Sequence, residues 1–131
     1  MPGKMIGIVG GVGCYASIDL IRKVYPNVLQ KYGIEVIQPS QKIQSQFVHP
    51  SIYDKHYGIK AVSSPVTEKA KNDLITAASY FSRKGADAII LGCTEISLAI
   101  TESKIENSVI IDACSILATA LIRESRDVMR S

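Results

Sequence analysis

The stretch that most constrains this chain is Gly85-Ala86-Asp87-Ala88-Ile89-Ile90-Leu91-Gly92-Cys93-Thr94-Glu95-Ile96. From Ala86 to Leu91 only Asp87 interrupts an apolar run, the pattern of a strand covered on both faces of a parallel sheet. Gly85 stands where a preceding helix must end, and Gly92 permits a sharp turn at the strand's end. Cys93, Thr94 and Glu95 then fall beyond the strand's carboxyl end, where open α/β sheets bind their ligands. Cys93 is thus the first candidate for chemistry.

The rest of the chain reads as repeats of strand followed by helix. Met5–Val9 is a first buried strand, and Gly10, Gly11 and Gly13 follow it. Backbone N–H groups of such a loop suit a carboxylate, although a tight strand-to-helix turn needs the same residues. Gly11 to Ala16 also fits the G-x-G-x-x-A dinucleotide fingerprint. That reading requires an acidic residue at the far end of the next strand. Gln38 occupies that position and Glu35 lies near the strand's start, so a nicotinamide cofactor is not expected.

Ser17–Tyr32 has helical spacing, with Ile18, Ile21, Val24, Val28 and Tyr32 on one face and Pro26 set to kink or split it. Gly33 ends it, and Ile34–Gln38 is the second strand. Ser40 caps a short helix carrying Ile43 and Phe47, Pro50 breaks it, and Ser51–Tyr57 forms another closed by Gly58. Ser63-Ser64-Pro65 reads as a helix start. That helix runs to Lys84 and buries Val66, Ala70, Leu74, Ala77 or Ala78, and Phe81. After the Cys93 stretch come a short apolar helix over Ile96–Ile100, a polar loop over Ser103–Asn107 and a fourth strand over Ser108–Ile111. Cys114 opens a last helix burying Ile116 or Leu117, Ala120 and Leu121. The expected fold class is α/β, a single four-stranded parallel sheet flanked by helices on both faces.

Composition narrows the function classes. A chain of 131 residues with 47% hydrophobic content supports one domain with one core. Its net charge of +3 comes from scattered residues such as Lys69, Lys71, Arg123 and Arg126, and aromatics are 6%. No basic stripe or stacking platform for nucleic acid emerges. No segment is apolar for long enough to span a bilayer, and glycines interrupt the amino-terminal apolar run too early for a signal peptide. Three widely spaced cysteines do not suggest a disulfide framework, so a cytoplasmic protein with reduced thiols is expected. His49 and His56 show no metal-ligand spacing, and no metal is expected.

The run GADAIILGCTEI closely resembles the second cysteine motif of the aspartate/glutamate (Asp/Glu/hydantoin) racemases. Members of this family invert the Cα of acidic amino acids without a cofactor. Ile6-Gly7-Ile8-Val9-Gly10-Gly11-Val12-Gly13 with Ala16-Ser17 resembles the family's opening strand and glycine loop. Tyr32 to Pro39 is similar to a second-lobe strand, and Val109 to Asp112 to its last strand. Family members have two pseudo-symmetric lobes, each contributing one catalytic cysteine. The first-lobe motif, a cysteine followed by Asn-Thr, occurs nowhere in this sequence. Residues 1–24 resemble the first lobe's start, 25–112 the second lobe, and 113–131 its closing helix, all within a single racemase-like domain.

The resemblance implies an amino-acid racemase in which Cys93 serves as thiol acid or thiolate base. It implies that Gly11, Val12, Gly13, Thr94 and Glu95 line the substrate, a small acidic amino acid, with no cofactor. The family also carries a cation near the substrate's side-chain carboxylate, for which His56 and Lys60 are the candidates. Taken without the resemblance, a cysteine ending a strand is more often an inert core residue. Its predicted place at a helix N-terminus would make it more acidic. The second thiol could be Cys14, Cys114, or the Cys93 of a second copy in a two-fold homodimer. The alternative is a catalytically inactive half-racemase that binds an acidic small molecule or a protein partner.

Overall fold

The computed structural model describes residues 4–9 and 31–130. Gly11, Val12, Gly13, Cys14, Pro26 and most of the expected Ser17–Tyr32 helix lie outside the described residues. Tyr32 itself is described, and at 78% exposure it is not on a buried face.

Five strands form one sheet: β1 (Lys4–Val9), β2 (Ile34–Ile37), β3 (Ala88–Leu91), β4 (Lys104–Ile105) and β5 (Ser108–Asp112), in the order β2-β1-β3-β5-β4. The four expected strands pair in parallel, with Ile8 opposite Ile90 and Leu91 opposite Asp112. The fifth strand corrects the expectation of four. It pairs antiparallel to β5 across Glu106 and Asn107, within the segment expected to be a polar loop. Its driving residue is Ile105, 7% exposed in an otherwise polar stretch. Glu106 makes the two-residue turn at φ 51°.

Alternation along the strands sorts apolar side chains onto two faces. Val9, Ile89 and Leu91 enter the main core, and Ile8 and Ile90 face the opposite side with Ile6, Val36 and Ile111. Asp87, the one charge in the central run, lies just ahead of β3. Its carboxylate accepts the Met5 N–H at 2.9 Å, and its own N–H donates to the Met5 carbonyl at 2.8 Å.

Helical elements α1 (Gln41–Ile43) and α2 (His49–Tyr53) are joined without a break by a wider π turn, Gln44–Val48. Ser40 caps α1 as expected, accepting the Ile43 N–H at 3.2 Å. Pro50, expected to end the helix, sits near the start of α2 instead. The His49 N–H reaches back to the Gln44 carbonyl, so the turn ahead of Pro50 is one residue wider and has room for its ring. Asp54 closes the segment, its carboxylate accepting the N–H groups of His56 and Tyr57. No helix forms from Asp54 to Tyr57.

The long helix α3 (Glu68–Arg83) buries Ala70, Leu74, Ala77, Ala78 and Phe81 against the sheet, as the spacing predicts. It starts later than Ser63-Ser64-Pro65 suggests, because Ser63 and Val66 pair with each other across that turn. Val66 is only partly buried, packed at the edge of the core. Thr67 is the true cap. Its hydroxyl accepts the Ala70 N–H at 3.2 Å and donates to the Tyr57 carbonyl at 2.7 Å. Gly85, at φ 95°, ends α3. The Ala86 N–H returns to the Phe81 carbonyl and the Gly85 N–H to Ser82, satisfying the last carbonyls.

After β3 comes α4 (Thr94–Ala99), and β5 leads into α5 (Ala113–Arg130). Ile116, Leu121 and Ile122 on α5 are more than half exposed, whereas Leu121, with either Ile116 or Leu117, was expected on its buried side. Helical spacing reports a stripe of apolar residues, not what lies opposite it. No helix among the described residues is long and apolar enough to cross a membrane.

Candidate active site

The chain is carried to the site by backbone pairing that outlasts strand β3. The Gly92 N–H still donates to the Val9 carbonyl at 2.7 Å, so the turn begins one residue later, at Cys93. Cys93 has extended dihedrals and is the N-cap of α4, with its carbonyl accepting the Ile96 N–H at 3.2 Å. Ile96 and Ala99 are buried and hold the short helix down. Cys93, Thr94 and Glu95 therefore stand together at the carboxyl edge of the sheet.

Glu95 turns back toward the sulfur. Its Oε2 accepts the Cys93 thiol at 2.7 Å and the Thr94 hydroxyl at 3.1 Å. Its Oε1 faces Lys60 Nζ at 3.9 Å. Lys60, in the loop after α2, also holds its ammonium 4.9 Å from the centre of the Tyr53 ring. Of the two cations considered for this region, Lys60 is the one that reaches the cluster. His56 is exposed and its N–H belongs to the Asp54 turn.

The charge state of the sulfur departs from expectation. Burial pushes the Cys93 thiol up to about 11, and the hydrogen bond to Glu95 adds to the rise. A helix terminus typically shifts a neighbouring charge by less than about one pKa unit. The six-residue α4 is outweighed by desolvation and a facing carboxylate. Glu95 moves the other way, below the usual carboxylate range, chiefly because it accepts the Cys93 thiol. The proton of the pair sits on sulfur.

A second carboxylate stands at the same edge. Asp112 ends β5 and accepts the Ser97 hydroxyl of α4 at 3.1 Å and the Ser115 hydroxyl of α5 at 2.9 Å. The rule that singled out Cys93, the carboxyl end of a parallel strand, points equally to Asp112. The Tyr53–Lys60 contact has no comparable signal, because it joins two loop-linked residues with no periodic relation.

Thr94 is exposed and Cys93 and Glu95 are half-buried, so the cluster is open to solvent on one side. Gly11, Val12 and Gly13, read as the substrate's carboxylate seat, lie outside the described residues. So does Cys14, and of Cys114 the structure describes only the backbone, in α5. Among the described residues no three His, Cys, Asp or Glu side chains gather as a metal site would require. A groove of about 330 Å³ lined by Thr119, Ile122, Arg123, Arg126 and Asp127 runs along α5, and none of these residues belongs to the Cys93 cluster.

Comparison with known proteins gives this geometry a context. The family model for Asp/Glu/hydantoin racemases matches residues 4–121. A solved structure from Yersinia pestis assigned as an Asp/Glu racemase is 24% identical and superposes with a TM-score of 0.66, over 90% of this chain and 46% of its own. An aspartate racemase homologue from Pyrococcus horikoshii OT3 is 20% identical with a TM-score of 0.69, over 95% of this chain and 49% of its own. These likenesses establish a common fold. The chain spans about half the length of the solved structures it matches.

Proposed function

The chain belongs to the Asp/Glu/hydantoin racemase family, and from that premise we propose that it inverts the Cα of a small acidic amino acid by proton transfer at Cys93. The observation that carries this reading is the half-buried Cys93 thiol at the carboxyl edge of the sheet, beside Thr94 and Glu95. Removing the weakly acidic Cα proton and returning one to the opposite face needs two proton carriers, and thiols serve when held on either side of the carbon. No cofactor is required for that chemistry. Gly11, Val12 and Gly13 would seat the α-carboxylate with the Thr94 N–H. Lys60, with its ammonium half exposed, would meet the distal one.

Cys93 supplies one carrier. For the other we propose the Cys93 of a second copy, brought to a shared cleft by a two-fold axis. Light scattering that gave a monomer mass under turnover conditions would remove that proposal.

The test of activity is wash-in of solvent deuterium at Cα of aspartate and of glutamate by the purified protein. Exchange is expected with one of them, and Cys93→Ser is expected to abolish it. No exchange with either substrate overturns the assignment. The upward shift of the Cys93 thiol favours one further reading, a protein that binds an acidic amino acid without turning it over. That reading predicts a raised melting temperature with aspartate or glutamate and no deuterium at Cα.

A further inference from the structure

Glu95 uses its two oxygens on different partners. Oε2 takes the Cys93 thiol and the Thr94 hydroxyl, and Oε1 is left to Lys60. A sulfur and a carboxylate oxygen 2.7 Å apart must share a proton, because two anions at that separation would repel each other. The carboxylate has a second donor and a cation to stabilise its charge, whereas no cation is paired with the sulfur itself among the described contacts. The other charged group of this edge, Asp112, is engaged by Ser97 and Ser115 on its far elements. The contact is also local and anchored. Glu95 follows Cys93 by two residues, and the buried Ile96 fixes the turn between them and the core.

Building on the racemase reading, we infer that Glu95 is a positioning residue that keeps the proton on Cys93, with Lys60 balancing the carboxylate, so that this sulfur meets its substrate as a thiol acid. Glu95 thus acts through Cys93. In the step it prepares, the S–H bond breaks as the Cα–H bond forms. The substrate carbanion, left when the Cys93 of the second copy has first given its own proton to water and then takes the Cα proton from the other face, accepts this proton, and the electron pair stays on sulfur. The resulting thiolate faces a carboxylate, and that repulsion drives it to recover a proton from water before the next cycle.

The reactivity of the thiol tests this without any substrate. The pH dependence of Cys93 alkylation by iodoacetamide is followed by peptide mass spectrometry, which separates Cys93 from Cys14 and Cys114. The wild-type midpoint is expected near 11. Glu95→Gln is expected to lower the midpoint and to speed labelling at neutral pH by about tenfold, equivalent to one pKa unit. Lys60→Gln is expected to slow labelling. Glu95→Asp, which keeps the charge on a shorter arm, is expected to fall between wild type and Glu95→Gln. It also guards against a folding defect in the amide variant. An unchanged midpoint in Glu95→Gln, or a wild-type midpoint at or below 9.0, the ordinary thiol value, overturns the inference. Absent Cα exchange with the expected labelling shifts would instead sink the racemase reading and leave the assignment of the proton standing.

Discussion

The Cys93 thiol donates to the Glu95 carboxylate at 2.7 Å, two residues along the same turn. The residue type best suited to become a nucleophile or base is thereby held in its neutral form. The acidifying influence of a helix N-terminus is present but small, and burial with a facing carboxylate overrides it.

This relationship has a signature in stability against pH. The folded Cys93 keeps its proton up to about 11, while in the unfolded chain a thiol loses it near 9.0. Between those values the native state binds more protons than the unfolded state, so stability falls as pH rises. The Cys93 contribution is intact below pH 9.0 and lost through about 11, at a slope of at most about 1.4 kcal/mol per pH unit. Urea denaturation across that range should show a shallower decline for Cys93→Ser than for wild type. Parallel curves would contradict the shifted thiol.

At Gly7 the sheet comes close against Phe81 of α3. A Cβ built there would lie 2.5 Å from Phe81 Cδ1 and 2.6 Å from Cγ, and Phe81 is fully buried with nowhere to retreat. Gly7→Ala should cost about 1–3 kcal/mol through overpacking. The double variant Gly7→Ala, Phe81→Leu should recover part of that loss in a double-mutant cycle. Additive losses in the cycle would place the defect elsewhere.

Thr67 satisfies two backbone groups with one hydroxyl, the Ala70 N–H and the Tyr57 carbonyl. Thr67→Val keeps the shape and removes both bonds. A loss of about 1–2 kcal/mol is expected from the cap, with amide exchange accelerated at Ala70. Thr67→Ser should retain most of the stability, since the hydroxyl remains.

Local residue patterns foretell some parts of this fold and not others, for physical reasons. The four parallel strands and the burial of Leu74 and Phe81 were legible, because period-2 and period-3.6 patterns report burial directly. Thr67 was missed as the cap because Ser63-Ser64-Pro65 carries the same local signature, and only the pairing of Ser63 with Val66 decides between them. Pro50 was misread because a wider turn ahead of it accommodates its ring, a choice made by packing and not by local propensity. Strand β4 went unseen because one apolar residue, Ile105, is too little for a pattern. At the site, Cys93, Thr94 and Glu95 were legible from the strand that delivers them. Lys60 reaches them through the tertiary fold alone.

That small outer strand has a consequence for how copies of the chain can meet. A β-layer whose rim offers unpaired amides invites other chains to extend it. Here the rim beside β5 is occupied by only two residues, running opposite to their neighbour and beginning with the exposed Lys104. So brief and charged a border makes a poor template for extension. Growth of the sheet into an aggregate is blunted on that side, and association there would have to proceed through side chains.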